Sequence, residues 1–132
     1  MIISKSPLRL SLGGGGTDLP SYYKIRGGRL IAGAIDKHVY ISIAETFNKR
    51  FILKYSKHEN IDRIKDIKHP IFREALKYLK IKRPLNISSH ADIPAGTGLG
   101  SSGSFTVSLL AALTEYNNLK IFRGKIAEQA CK

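Results

Sequence analysis

Residues 94–104 read Pro94-Ala95-Gly96-Thr97-Gly98-Leu99-Gly100-Ser101-Ser102-Gly103-Ser104, and they lie between a predicted strand and a predicted helix. Glycines let the backbone approach a ligand closely and point successive N–H groups toward it. The helix that follows adds unpaired N–H groups and the positive end of its dipole. The segment therefore predicts an anion site suited to phosphate, with serine hydroxyls that donate to phosphate oxygens and one that is able to ligate Mg²⁺.

Three other motifs nearly match this segment and do not fit it. The dinucleotide pattern Gly98-x-Gly100-x-x-Gly103 lacks the acidic residue expected about 20 positions later. The Walker A spacing has Ser104 where the lysine belongs. A nucleophile elbow needs a glycine at that same position, so His90 and Asp92 are weak evidence for a hydrolase triad. A flexible connector with an N-cap serine remains the structural alternative.

A second glycine cluster, Gly13 to Gly16, follows a strand that carries Arg9 and precedes Thr17 and Asp18. The guanidinium of Arg9 is a fixed and permanently charged fork that suits a phosphate. The carboxylate of Asp18 is suited to accept hydrogen bonds from sugar hydroxyls. Two alternatives stay open, namely that the cluster is a simple turn and that Asp18 is the N-cap of a helix near Pro20.

The hydrophobic periodicity along the chain predicts both strands and helices. Strands are expected over residues 2–12, 30–35, 39–45, 51–55 and 84–89, with residues 36–38 joining the second strand to the third. Residues 56–69 are polar and are expected to form a loop or a short helix. Three helices are expected. One begins at Pro70, one runs from Phe122 to Lys132, and the one between them has a buried stripe of Phe105, Leu109, Ala112, Leu113 and Tyr116. Because strands and helices do not alternate regularly, the fold class is α+β.

The composition is that of a globular protein of 132 residues, which is about one domain. A single cysteine, Cys131, excludes an internal disulfide and suits a reducing compartment. The longest nearly apolar stretch, residues 107–113, is too short to cross a bilayer, and the N-terminus has no signal-peptide pattern. These features predict a soluble cytoplasmic protein without a membrane partner.

The formal net charge of +12 comes mainly from the middle of the chain. Residues 49–83 hold twelve basic and four acidic groups, a net charge of +8, and they contain none of the motifs above. A lysine-rich solvated surface explains this segment, with a general attraction for phosphorylated ligands as one alternative. Electrostatic RNA binding is another, although aromatic residues are not interleaved with the basic run as a stacking platform requires.

Two motifs in this order resemble those of the GHMP kinases, the superfamily of galactokinase and of homoserine, mevalonate and phosphomevalonate kinases. The segment Pro94-x-Gly96-x-Gly98-Leu99-Gly100-Ser101-Ser102 resembles the phosphate-binding loop of that superfamily, and residues 6–20 are similar to the N-terminal motif of its sugar kinases. The resemblance implies an α+β fold with a mixed sheet packed by helices, a topology shared with ribosomal proteins. It also implies ATP and Mg²⁺ as cofactors and a small sugar phosphate as partner, with no specific nucleic acid.

The resemblance implies a role for each matched residue. Arg9 is expected near the transferred phosphoryl group as the catalytic residue, and Ser102 is expected to bind the β-phosphate and Mg²⁺. The nucleotide-binding residues are expected to be Pro94, Ala95, Gly96, Thr97, Gly98, Leu99, Gly100, Ser101, Ser102, Gly103 and Ser104. The substrate-binding residues are expected to be Gly14, Gly15, Gly16, Thr17 and Asp18.

The sequence from Gly13 to Pro20 and the run from Asp92 to Val107 look most like one branch of the superfamily. Members of this branch phosphorylate the anomeric hydroxyl of D-glycero-D-manno-heptose 7-phosphate to give the 1,7-bisphosphate. Galactokinases carry a Glu-His pair where Gly15-Gly16 stand here, which argues against galactose. A fucokinase-like enzyme, a basic RNA-binding module and an inactive remnant remain alternatives.

The length implies that residues 1–132 are the N-terminal ATP-binding domain alone. Superfamily members are much longer, and their catalytic aspartate, their Mg²⁺-binding glutamate and a C-terminal glycine motif lie beyond the equivalent of Lys132. Phosphoryl transfer depends on positioning and on charge stabilisation by metal and cationic groups. We therefore expect this chain by itself to bind nucleotide weakly and to turn over little.

Overall fold

A computed structural model describes residues 1–119 and 122–131 of the chain. Five strands and four helices follow one another in the order β1 (Ile2–Gly13), α1 (Pro20–Arg26), β2 (Ile31–Glu45), β3 (Phe51–Lys54), β4 (His58–Ile61), α2 (Pro70–Tyr78), β5 (Leu85–Ala91), α3 (Ser101–Tyr116) and α4 (Arg123–Ala130). A 3₁₀ turn over Ile64–Asp66 precedes α2. The predicted α+β class is confirmed.

The strands form one mixed sheet in the order β1-β2-β5-β3-β4. Neighbours pair antiparallel except β3 and β5, which are parallel. Helix α3 packs against β1 and β2 and also contacts α2 and α4. The core lies between the sheet and these helices, and its largest fully buried side chains include Ile41, Leu53, Phe72, Leu109 and Leu113. The buried stripe predicted for α3 is therefore confirmed at Leu109, Ala112 and Leu113.

The prediction of two strands joined at residues 36–38 is wrong, because Ile31–Glu45 is one continuous strand. Strand β1 pairs along its full length with β2, and the polar residues fall in an irregularity of that ladder. Pro7 lies opposite His38 and Arg9 lies opposite Ala34, so three residues of β2 face the single residue Leu8. A β-bulge accommodates extra residues without ending the strand.

The prediction of only a loop or a helix over residues 56–69 missed strand β4. This strand pairs with β3 as a hairpin. Its inward residue is Glu59, which is buried, so the alternation of apolar and polar side chains that reveals most half-buried strands is lost here. Two helix predictions differ at their ends. Helix α3 begins at Ser101 rather than Phe105, and α4 ends at Ala130, while Lys132 lies outside the described residues.

The far half of the β1–β2 ribbon extends beyond the core. Leu8 is fully buried, whereas Leu10 and Leu12, on the same face of β1, are 46% and 71% exposed. Gly13 and the following turn therefore project from the body of the domain, alongside α1. Within the part of the chain that the structure covers, none of the helices combines the length and the apolar character needed to cross a membrane.

Candidate functional site

The Pro94–Ser104 loop has an open backbone at the start of α3. Gly96, Gly98 and Gly100 have φ angles of 88°, 76° and 72°, in the left-handed region that glycine adopts without strain. The backbone N–H groups of residues 95–103 donate no hydrogen bond to any acceptor within residues 1–119 and 122–131. These donors therefore remain available to a ligand at the positive end of a 16-residue helix.

The N-cap of α3 is Gly100, and no side chain caps the helix. The alternative of an N-cap serine is therefore wrong, since Ser101 is already helical. In the described part of the chain, the hydroxyls of Ser101 and Ser102 make no hydrogen bond, so both are able to donate to a ligand. The hydroxyl of Ser104 instead donates to the carbonyl oxygen of Pro7 at 2.7 Å. This contact ties α3 to β1 and engages a hydroxyl that the sequence assigned to phosphate.

Arg9 joins strand β1 to this loop. Its backbone N–H donates to the carbonyl oxygen of Leu99 at 3.0 Å. Its side chain crosses directly over Gly100, where an added Cβ would lie 2.9 Å from Arg9 Cγ and 3.0 Å from Nε. Glycine at position 100 therefore supplies both the backbone angle and the space for the arginine. The structure thus brings Arg9 and the loop together, and the catalytic role of Arg9 stays a prediction.

The turn after β1 is held closed by its own groups. The Thr17 hydroxyl oxygen lies 2.7 Å from Gly14 O and 2.8 Å from Arg29 O, and it accepts the Arg29 backbone N–H at 3.1 Å. The Asp18 carboxylate accepts the N–H of Gly16 at 3.0 Å. The N-cap of α1 is Leu19, so the alternative that Asp18 caps this helix is wrong.

Two glycines allow the turn to approach the segment after α1. An added Cβ at Gly14 would lie 2.0 Å from Arg29 O, and one at Gly28 would lie 2.3 Å from Thr17 O. Gly15 and Gly16 are exposed, and a Cβ at either would meet nothing within 4 Å. The predicted substrate residues therefore divide into Gly14 and Thr17, which build the turn, and Gly15, Gly16 and Asp18, which lie at its surface.

A cavity of about 400 Å³ lies between this turn and the chain that follows α1. Asp18 lines it, as do four residues that the sequence did not assign to a site, namely Tyr23, Gly28, Arg29 and Leu30. The pair Gly27-Gly28 by itself indicates only a break in the chain. The signal that would have found the pocket is a second glycine pair about ten residues after the first cluster, since glycines also mark close backbone approach.

A larger cleft of about 700 Å³ adjoins the Pro94–Ser104 loop. Ser101 and Ser102 line its edge, and Tyr55, His69 and Phe105 are among its wall residues. The rings of His69 and Tyr55 meet edge to face at a centroid distance of 4.8 Å, and His69 lies 5.4 Å from Phe105. The cleft therefore offers aromatic and apolar surface next to the free amides.

Buried Glu59 supports this aromatic wall. Its carboxylate accepts the Tyr55 hydroxyl at 2.7 Å, the Lys68 N–H at 2.8 Å and the His69 N–H at 3.2 Å. Burial by itself would raise the pKa of Glu59, but these hydrogen bonds favour the anion and hold its pKa below the ordinary range. Burial, with the Glu59 hydrogen bond and charge, raises the pKa of Tyr55 to about 12. Burial also lowers the pKa of His69, against the opposing influence of Glu59.

Asp92 has a structural partner that weakens the hydrolase alternative further. Its carboxylate accepts the backbone N–H of His38 at 2.8 Å, and its own N–H donates to the His38 carbonyl at 3.0 Å. Asp92 therefore fastens the end of β5 to β2.

Over the described residues, no group of three or more His, Cys, Asp and Glu side chains is placed to hold a metal ion. That finding does not concern serine hydroxyls, and the assignment of Mg²⁺ to Ser102 stays a prediction.

Comparison with known proteins gives matches over nearly the whole chain. The family profile described as "GHMP kinases N terminal domain" matches residues 67–132. The D-glycero-alpha-D-manno-heptose 7-phosphate kinase of Campylobacter jejuni is 29% identical over 141 residues, which cover 98% of this chain and 42% of that protein. The mevalonate kinase of Methanothermobacter thermautotrophicus is 30% identical over 105 residues, which cover 76% of this chain and 33% of that protein.

A solved structure, the D-glycero-D-manno-heptose 1-phosphate kinase from Bacteroides thetaiotaomicron, superimposes with a TM-score of 0.83 at 25% identity. The match covers 98% of this chain and 47% of the other. This chain therefore spans less than half the length of each of these three relatives.

Proposed function

The chain belongs to the GHMP kinases by its N-terminal domain, and from that premise we propose that residues 1–132 are the ATP-binding domain of a sugar kinase. The acceptor is D-glycero-D-manno-heptose 7-phosphate, and the product is the 1,7-bisphosphate formed at the anomeric hydroxyl. The similarity to a heptose 7-phosphate kinase along 98% of the chain supports this choice of sugar. A cytoplasmic location fits the use of ATP and the free cysteine Cys131.

The proposal rests on the backbone N–H groups of residues 95–103 at the start of α3, which donate no hydrogen bond within residues 1–119 and 122–131. A triphosphate offers several anionic oxygens in a row, and successive amides at a helix N-terminus bind such a chain of acceptors. The unpartnered hydroxyls of Ser101 and Ser102 add donors at the same edge. A magnesium ion held in part by Ser102 would neutralise charge on the β- and γ-phosphates.

The cleft beside the loop is assigned to the nucleoside. Its volume of about 700 Å³ lies within the range of roughly 300–1,000 Å³ that small-molecule sites occupy. Its aromatic wall at Tyr55, His69 and Phe105 suits stacking against a planar base. Because Ser101 and Ser102 line the cleft and also begin α3, a nucleoside there directs its phosphates onto the free amides.

The acceptor sugar is assigned to the opposite side of Arg9. Gly13 lies four residues beyond Arg9 on β1, which corresponds to roughly 13 Å at about 3.3 Å per residue. The turn that carries Asp18 begins at that distance from Arg9 along the strand, and we place the sugar between the two. Arg9 then stabilises charge on the phosphoryl group in transfer, while Asp18 orients sugar hydroxyls. The residue that takes the proton from the anomeric hydroxyl is expected in the region that the longer relatives possess and residues 1–132 do not.

Calorimetric titration of the chain tests the proposal. We expect Mg·ATP to bind with one-to-one stoichiometry, and heptose 7-phosphate to bind in its presence, while L-fucose does not. Preference for L-fucose would instead assign the domain to a fucokinase-like enzyme. A titration with single-stranded RNA serves as the contrast. Absence of ATP binding, together with RNA affinity that falls steeply as salt rises, would overturn the kinase proposal in favour of an RNA-binding module.

Within the basic segment, residues 49–83, four of the twelve basic residues make ion pairs with acidic residues of the same segment. Arg50 pairs with Asp62 at 2.7 Å, and Arg63 pairs with Asp66 at 2.9 Å. Arg73 and Lys77 both contact Glu74. All four acidic residues of residues 49–83 are thus engaged, with Glu59 buried in the wall of the cleft. We assign the remaining lysines to a solvated surface, and the RNA titration tests this assignment.

A further inference from the structure

Arg29 has an unusually well-fixed backbone for a residue in an exposed loop. Its N–H and its carbonyl oxygen both contact the Thr17 hydroxyl, at 3.1 and 2.8 Å. The close approach of Gly14 and Gly28 to the facing backbones holds the same two segments together. The Cα of Arg29 is therefore anchored to the turn that carries Asp18, although its side chain remains exposed.

The guanidinium of Arg29 has no partner in the described part of the chain, either as a salt bridge within 4.0 Å or as a hydrogen bond. Other arginines of the same domain do have carboxylate partners, such as Arg50 with Asp62 and Arg63 with Asp66. An anchored arginine without an acidic partner retains its full capacity for a bidentate contact to an anion.

The cavity of about 400 Å³ brings this arginine together with two other kinds of group. Asp18, which carries a carboxylate, and Tyr23, which carries an aromatic ring and a hydroxyl, line the cavity with Arg29. A carboxylate repels a simple anion, so the combination does not suit free phosphate or nucleotide phosphates. It does suit a molecule that has hydroxyl donors at one end and a phosphate at the other, which is the chemistry of a sugar phosphate.

We infer that Arg29 binds the terminal phosphate of the acceptor sugar phosphate, and that it thereby selects phosphorylated over unphosphorylated sugars. The inference rests on the proposed function, because it takes the cavity at Asp18 as the acceptor site. The phosphate lies on the guanidinium, the hydroxyls of the sugar lie toward Asp18, and the anomeric end is directed toward Arg9 and the phosphate loop. Arg29 is a specificity-determining residue in this account, since it does not contact the reacting atoms.

Matched substitutions measured by calorimetry test this assignment on the 132-residue chain, in the presence of Mg·ATP. Arg29→Gln removes the charge, Arg29→Lys retains a point charge, and Arg26→Gln removes an exposed charge from α1 that does not line the cavity. For heptose 7-phosphate we expect the dissociation constant to rise about tenfold or more with Arg29→Gln and less with Arg29→Lys. For the unphosphorylated heptose we expect a change of less than about twofold.

The results separate this inference from the proposed function. The inference is overturned if Arg29→Gln weakens the binding of both sugars equally, or if Arg26→Gln has the same effect as Arg29→Gln. It is also overturned if the wild-type chain binds both sugars with equal affinity or binds neither. Mg·ATP titrated into the same samples reports on the proposed function by itself. If Arg29→Gln retains ATP binding and its affinity for heptose 7-phosphate is unchanged, Arg29 has no role in binding the sugar phosphate. The kinase assignment would then remain intact. Thermal denaturation of each variant checks that the turn is still folded.

Discussion

The two glycine-rich segments of this domain look alike in sequence but differ in whether their polar groups are already engaged by contacts within the chain. In the turn of residues 13–18, the Thr17 hydroxyl and Gly14 are occupied by contacts within the chain, and one oxygen of the Asp18 carboxylate accepts a backbone N–H. In the Pro94–Ser104 loop, the amides of residues 95–103 donate to no acceptor in the described structure, and a Cβ at Gly96, Gly98 or Gly103 would meet nothing within 4 Å. Gly14 therefore serves close packing in the first segment, whereas Gly96, Gly98 and Gly103 leave the second segment open to a ligand.

The largest expected effect is a loss of folding stability when a glycine of the first turn is replaced. Gly14→Ala places a Cβ 2.0 Å from Arg29 O at a φ of 82°, and we expect a loss of about 2–4 kcal/mol in the free energy of unfolding. Gly15→Ala is the matched control, since it has open space and no positive φ, and it should change stability by less than about 0.5 kcal/mol. Urea denaturation measures both variants. Equal stability of the two would show that the turn is not held closed as described.

A smaller loss of folding stability is expected for a substitution in the wall of the cleft beside the second segment. There, the buried carboxylate of Glu59 accepts three hydrogen bonds. Glu59→Gln keeps an oxygen for Tyr55 and His69 but turns an N–H toward the Lys68 N–H, so we expect about 1–3 kcal/mol of destabilisation at pH 7. Glu115→Gln, at an exposed position on α3, is the control.

The pH dependence of the same variant sharpens the test. Burial opposes ionisation of Glu59, yet its hydrogen bonds lower its pKa in the folded state. Its stabilising contribution is therefore complete above the unfolded pKa and is lost as the pH falls through the lower, folded pKa. Burial lowers the pKa of His69, so that residue begins to reduce stability as the pH falls below about 6.5. Melting temperatures between pH 7 and pH 3 should decline less steeply in Glu59→Gln below about pH 4.5, and parallel profiles for wild type and variant would contradict this account.

Two serines of the second segment should show opposite effects on binding and stability. Ser102 has a hydroxyl without a partner in the described chain, so Ser102→Ala should weaken Mg·ATP binding about tenfold and leave stability unchanged. The Ser104 hydroxyl donates to Pro7 O, so Ser104→Ala should lower stability by about 0.5–1.5 kcal/mol and change ATP affinity little. Calorimetric titration and urea denaturation of both variants measure this. An equal loss of ATP affinity in the two would contradict the assignment of Ser102.

Most of the fold could be predicted from the sequence because hydrophobic periodicity and glycine positions are local signals. The strand bearing Arg9, the helix at Pro70 and the buried stripe of α3 all follow from such patterns. Strand β4 could not, because its inward side chain is Glu59, whose burial depends on donors from Tyr55, Lys68 and His69. The continuity of β2 through residues 36–38 also depends on its pairing with β1, which no local signal reveals.

The candidate site divides in the same way. The free amides follow from the glycine spacing, whereas the position of Arg9 near the phosphates is implied only by the resemblance to the GHMP kinases. The anchored position of Arg29 depends on contacts between segments that are 12 residues apart, and so does the structural use of the Thr17 hydroxyl. The pair Gly27-Gly28 indicates a close backbone approach, but it does not indicate which segment lies opposite or that a cavity forms there.

The central claim, that the amides of residues 95–103 bind the phosphates of ATP, is tested most directly by nuclear magnetic resonance of the ¹⁵N-labelled chain during titration with Mg·ATP. We predict that the backbone amide resonances from Gly96 to Gly103 shift together and saturate with one dissociation constant. Shifts confined to residues 49–83, with the loop resonances unmoved, would contradict the claim and would identify only electrostatic attraction to the basic surface.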